Sequence, residues 1–155
     1  MQKVPDGSSK ILVAASGGGH WDELMLLRPA LDRFNPVYVT TNARLAARDR
    51  VGDIRVLPDA NRDQLLKGFR CFFAAFKLIM KEKPDIVLST GALPGLFCVI
   101  IAKMAGARTI WVDSIANSDA PSLSGRIARP FSSLWVTQWE HLARSDNARY
   151  FGALL

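Results

Sequence analysis

Cysteine and histidine are scarce in this chain, at two residues each, and no apolar run approaches the ~20 residues that a bilayer-spanning helix needs. The longest apolar stretch, residues 92–102, falls well short of that length. Cys71 and Cys98 both sit in apolar surroundings and read as buried thiols in a reducing compartment rather than as a disulfide framework. No zinc-ligand spacing occurs, and no basic–aromatic interleaving lies on an expected strand, so nucleic acid is not the expected partner. The first ten residues are polar and lack an apolar h-region, which predicts no secretory signal and a cytoplasmic location. Acids are in deficit, 14 against 20 Lys and Arg, and the net charge of +6 points to anionic lipid or phosphorylated ligands. What is present is ample apolar material. At 49% of 155 residues it excludes disorder and suffices for one core, so residues 1–155 are expected to form a single domain.

Strand and helix patterns alternate along the chain. Short apolar runs at residues 10–16, 36–40, 54–57, 85–89, 108–112 and 134–137 read as strands, several of them buried on both faces. Between them, helical periodicity covers residues 19–34, 42–50, 62–83, 94–105 and 123–128, with Asn42 as a cap and Pro84 as a stop. This βαβ series predicts an α/β fold, a Rossmann-like open parallel sheet with helices on both faces. Ligands of such sheets bind outside the carboxyl ends of the strands, so the chemistry is expected in the loops at residues 16–21, 89–95 and 113–122.

The first of those loops is Ser16-Gly17-Gly18-Gly19-His20, leaving a strand and opening a helix. Three residues without Cβ atoms let backbone N–H groups approach a phosphate or sugar closely, and a helix N-terminus favours an anion. The dinucleotide fingerprint is broken, since Asp22 stands where its third glycine belongs, and no Gly-Lys-Ser/Thr follows to make a Walker loop. His20 is either a helix-start imidazole bonded to a nearby carbonyl or a titratable group at the mouth of a cleft, and its position favours the second reading.

Four elements then occur in order: Ser16 to His20, Ser89-Thr90-Gly91-Ala92-Leu93-Pro94-Gly95, Trp111-Val112-Asp113-Ser114 and Gln138-Trp139-Glu140. Together they resemble a glycosyltransferase family, that of the acceptor-recruiting, membrane-associated subunit of the dolichol-pyrophosphate GlcNAc transferase and its bacterial exopolysaccharide relatives. The resemblance covers roughly residues 10–155. It implies the N-terminal half of a GT-B glycosyltransferase, in which Ser16, Gly17, Gly18, Gly19, Thr90, Gly91, Gly95, Asp113, Ser114, Asn117 and Glu140 surround a lipid-pyrophosphate-linked sugar acceptor. Asp113 would position a sugar hydroxyl, orient His20 or cap its own loop. His20 would be the base, with no metal and no cofactor. A second Rossmann-like half does not fit in 155 residues, so the resemblance also implies a donor-binding partner chain carrying the UDP-sugar. Family members in eukaryotes carry an N-terminal membrane-spanning helix, whereas this chain opens almost at its first strand.

A different membrane contact is expected here. At roughly 100° per residue, Leu65, Leu66, Phe69, Phe72, Phe73, Phe76, Ile79 and Met80 fill one arc of the longest helix. Lys67, Arg70, Lys77 and Lys81 lie beside that arc, and the helix either packs on the core or presents Phe73 with Lys67, Arg70 and Lys77 to anionic headgroups. Arg44, Arg48 and Arg50 would extend the basic patch. The expected location is the inner face of the cytoplasmic membrane. The apolar tail, with Tyr150, Phe151, Leu154 and Leu155, is expected either to dock the partner or to close the chain's own sheet. Two rival readings are a non-catalytic module for a phosphorylated ligand and a small nicotinamide-binding fragment.

Overall fold

The computed structural model describes residues 9–60, 64–146 and 148–154. In chain order the elements are β1 (Ile11–Ala15), α1 (Gly19–Leu31), β2 (Val37–Thr40), α2 (Ala43–Arg48), β3 (Ile54–Val56), α3 (Leu65–Glu82), β4 (Ile86–Gly91), α4 (Ala92–Met104), β5 (Arg108–Val112), α5 (Leu123–Ala128), β6 (Leu134–Thr137), α6 (Glu140–Asp146) and β7 (Arg149–Tyr150). Among the described residues seven strands form one parallel sheet, in the order β3-β2-β1-β4-β5-β6-β7. The strands with unbroken apolar runs lie in the middle: β1 is buried along its whole length, as is β4 beside it. The order reverses between β1 and β4, because the chain runs outward from β1 to β3 and then returns to start the other half.

Each half covers its own face of the sheet. Trp21, Leu24 and Leu31 of α1 and Ala46 of α2 close one core with Tyr38 and Leu88. Cys71, Ala75, Leu78 and Ile79 of α3 and Leu96, Cys98 and Val99 of α4 close the other, with Trp111 and Trp135. Burial pushes the Cys71 thiol up to about 11 and the Cys98 thiol up to about 12. On the rim, Glu82 is buried between Lys10 and Arg55, at 2.6 Å and 2.8 Å, and Lys10 foremost holds its carboxyl below the usual carboxylate range.

The expected fold and strand boundaries are close to those observed, and three differences have physical causes. Helix α4 begins at Ala92 rather than near residue 94, because Gly91 (φ +142°) and Ala92 (φ +64°) turn the chain directly out of β4. Helix α3 turns its small residues Cys71 and Ala75 inward, since it packs closely on α4. Most of its aromatic arc therefore faces outward: Leu65, Leu66 and Phe69 are 76%, 80% and 62% exposed, and Phe73, Phe76 and Met80 are exposed too. The expected start of this helix, at Arg62, lies outside the described residues. Finally, α2 packs on the opposite face of the sheet from α3, so Arg44, Arg48 and Arg50 do not extend the basic patch. Arg48 is instead held by Asp22 and Asp49, at 2.7 Å and 2.8 Å.

Candidate functional site

The carboxyl ends of β1 and β4 meet at the reversal of strand order, the place where such sheets bind ligands. Gly18, with φ +91°, turns the chain from β1 into α1 and sets His20 in the helix's first turn. The imidazole reaches across to β4, where Nδ1 lies 3.0 Å from the carbonyl oxygen of Thr90. A carbonyl only accepts, so this contact favours the tautomer with the proton on Nδ1 and the lone pair on Nε2. The grip is reciprocal: the Thr90 hydroxyl donates to the carbonyl oxygen of His20 at 2.6 Å.

The glycines on β4 and α4 exist for this seat. A Cβ on Gly91 would overlap Nδ1 and Cε1 of His20, and one on Gly95 would overlap the hydroxyl of Ser89. That hydroxyl accepts the Gly91 N–H at 3.1 Å. Gly17 donates its N–H to Thr41 Oγ1 at 2.9 Å, and a Cβ there would come within 3.1 Å of Asn42 Cβ. Gly18 and Gly19, by contrast, border open space. Positive φ gathers at one spot, at Gly18 and Gly91, which adopt it freely, and at Ala92, where a side chain makes it strained.

His20 forms part of the wall of two clefts. One, of about 560 Å³, runs between α1 and the loop after β5 and is lined by Gly19, Glu23, Leu26, Ser114 and Asn117, among others. The other, of about 540 Å³, lies beside Ser16, Gly17, Thr41 and Ala92. A rim carrying the hydroxyls of Ser16, Thr41, Ser114 and Ser122 beside an imidazole suits a polyhydroxylated ligand whose hydroxyl proton is to be removed.

Of the residues expected to form the site, Ser16, Gly17, Gly18, Gly19, His20, Thr90, Gly91, Gly95, Ser114 and Asn117 come together around these clefts or directly behind them. Asp113 does not reach His20. Its buried carboxylate accepts from Ser122 Oγ (2.7 Å), Ser122 N–H (3.1 Å), Trp111 Nε1 (3.1 Å) and Asn117 Nδ2 (3.3 Å), which organises the loop. Glu140 stands apart from the clefts, exposed at the start of α6 and paired with Arg144 at 2.6 Å. The acid that does approach His20 is Glu23, which sequence reasoning passed over; the signal was its i,i+3 spacing from His20, which puts both on one helix face. Lys67, Arg70, Phe73 and Lys77 lie on α3, away from both clefts. At the tail, Tyr150 of β7 pairs with Thr137 of β6 and Leu154 donates its N–H to Gln138 Oε1 at 3.0 Å, so the tail is tied to the chain's own sheet while Phe151 stays exposed. Leu155 lies outside the described residues.

Known proteins share this fold. The crystal structure of MurG from Acinetobacter baumannii superposes with a TM-score of 0.69 over 84% of this chain and 41% of that one, at 14% identity, which shows a common fold. The UDP-N-acetylglucosamine transferase subunit ALG14 of Yarrowia lipolytica is 25% identical over 175 residues, covering 94% of this chain and 81% of the relative. That of Eremothecium gossypii is 37% identical over 81 residues, 46% of this chain and 35% of the relative. Residues 54–154 match the family described as oligosaccharide biosynthesis protein Alg14 like. With that match spanning β3 to the tail, and the site above at the reversal of its sheet, the chain belongs to the Alg14-like family.

Proposed function

We propose that this chain is the acceptor-binding, membrane-associating subunit of a two-chain UDP-sugar glycosyltransferase in lipid-linked oligosaccharide or exopolysaccharide biosynthesis. The observation that carries the reading is the state of His20: Nδ1–H is held by the Thr90 carbonyl, which leaves Nε2 as a base at the carboxyl edge of the sheet. An acceptor hydroxyl in the adjoining cleft gives its proton to Nε2 as its oxygen attacks the anomeric carbon of the sugar. The bond from that carbon to the UDP oxygen breaks, and UDP leaves with the electron pair. The donor half comes from the partner chain; the names of the relatives, UDP-N-acetylglucosamine transferase subunits, support a UDP-sugar enzyme made of more than one chain.

The outward face of α3 supports a membrane role. Leu65, Leu66, Phe69, Phe73 and Phe76 are exposed beside Lys67, Arg70 and Lys77, an apolar face with a cationic flank that suits anionic lipid. Among the described residues no helix is long and apolar enough to cross a membrane. Surface attachment by α3 would bring the domain to a lipid-pyrophosphate-linked acceptor at the inner face of the cytoplasmic membrane. The edge strand β7 and the exposed ring of Phe151 beside it are the surface we assign to the donor-binding partner.

The test is His20→Ala in the reconstituted pair. Transfer to the lipid-linked acceptor is expected to fall roughly 10²–10⁴-fold, the range a general base supplies, while the chain stays folded and its melting temperature drops by no more than the loss of the Thr90 bond allows, about 1–6 °C. Transfer within threefold of wild type would remove His20 from the chemistry.

A further inference from the structure

Glu23 is buried, at 6% exposure, in the wall of the cleft between α1 and the loop after β5. One oxygen is fully engaged: Oε1 accepts from the Ser114 hydroxyl and from the Ile115 N–H, both at 2.8 Å. The other has no such tie. Oε2 is buried without a hydrogen-bond partner among the described residues, and the nearest opposite group is His20 Nδ1 at 3.9 Å. A buried carboxylate oxygen left unsatisfied is costly, so its persistence calls for a reason.

The geometry points to Glu23 as the residue that positions His20 for its chemistry, fixing the imidazole in the Nδ1–H tautomer and facing the positive ring that forms when Nε2 takes a proton. Free imidazole side chains exchange their proton between the two nitrogens, so a single hydrogen bond to Thr90 leaves the choice incompletely made. A negative oxygen on the Nδ1 side disfavours a lone pair there and favours a proton there. The same charge then stabilises the imidazolium created during proton abstraction, as an acid behind a catalytic histidine does in serine hydrolases. Glu23 touches no reacting atom in this scheme. It acts through His20 by way of Oε2, while Oε1 serves as a latch between α1 and the loop after β5.

The inference rests on the functional reading above for its catalytic half only; the tautomer can be read on this chain alone. Glu23→Gln is the informative variant because a glutamine carbonyl can still accept from Ser114 and Ile115, keeping the latch. Its amide N–H₂ then replaces Oε2 and offers a donor to Nδ1, which reverses the preference. Imidazole ¹⁵N shifts report the tautomer directly, and with two histidines in the chain His141→Gln assigns the signals. Wild type is expected to show Nδ1–H at His20, and Glu23→Gln to shift the population to Nε2–H. Ser114→Ala, which loosens the latch but keeps the charge, is expected to leave Nδ1–H in place. In the reconstituted pair, Glu23→Gln is expected to lower kcat by roughly 10²-fold or more, with the acceptor KM little changed. An unaltered tautomer in Glu23→Gln, or a shifted tautomer with wild-type kcat, would overturn the assignment. A wild-type pair that transfers no sugar would overturn the functional reading instead, while the tautomer result would still decide the role of Glu23 in orienting the ring.

Discussion

Substituting Gly91 with alanine should displace His20 more surely than any change to the histidine's own neighbours. The new Cβ would overlap Nδ1 and Cε1 and stand 3.2 Å from Cγ, so the ring must leave its seat. Two costs follow. Residue 91 has φ +142° and ψ −174°, a region open to glycine alone, and forcing a side chain there costs about 1–3 kcal/mol. Losing the 3.0 Å bond to Thr90 adds about 0.5–1.5 kcal/mol. For a chain of this size the sum, about 1.5–4.5 kcal/mol, lowers the melting temperature by roughly 3–18 °C. Two sister variants separate the contributions. Gly18→Ala meets strain at φ +91° but nothing within 4 Å, so it should cost about 1–3 kcal/mol and leave the imidazole in place. Gly19→Ala meets neither strain nor overlap at the start of α1, and should match wild type or gain about 0.5–1 kcal/mol. Thermal unfolding and the His20 ring signals read the series. A Gly91→Ala protein within about 2 °C of wild type, with unchanged His20 signals, would refute the close fit on which the site is built.

Two further outcomes test surfaces outside the site. The protein should pellet with vesicles containing anionic lipid and be released as salt rises, and Phe69→Ser with Phe73→Ser should weaken the binding; equal pelleting with neutral vesicles, or none with either, would defeat the membrane role of α3. The Glu82 carboxyl is held below its ordinary 4.5 in the fold, first by Lys10 and then by Arg55, so the unfolded chain binds the extra proton as pH falls. Its stabilisation is therefore complete above that value and is lost on acidification, and Glu82→Gln should flatten the climb of melting temperature with pH below about 4.5, a result that an unchanged slope would contradict.

The frame of this molecule is legible in its residues because its signals are local. A run such as Ile11 to Ala15, apolar at every position and followed by three glycines, has few other uses than a doubly covered strand entering a tight turn. The same locality explains why the loop at residues 16–20 could be picked out. What stays hidden depends on partners far along the chain. The carboxylates of Asp113 and Glu23 look equally available as text, yet the first is consumed by Trp111, Asn117 and Ser122, and the second lies beside His20. Helical periodicity likewise locates the phenylalanine arc of α3 without saying which side meets the sheet. That choice falls to Cys71 and Ala75, because only small side chains permit a close approach to α4.

The clasp between His20 and Thr90 joins residues 70 positions apart, and the contact of Glu23 with Ser114 joins residues 91 apart. During synthesis, therefore, the first β-α-β segment can emerge and close its own face while the histidine has nothing to hold. Only when β4 slides in against β1 does the ring acquire its seat, and only when β5 follows does the acid acquire its latch. Closing such long loops is the slow, entropically opposed part of assembling a parallel sheet. The seat of His20 is thus completed late and in two steps, and a nascent or truncated chain ending before β4 would carry every glycine of the first loop yet leave the imidazole without its partner.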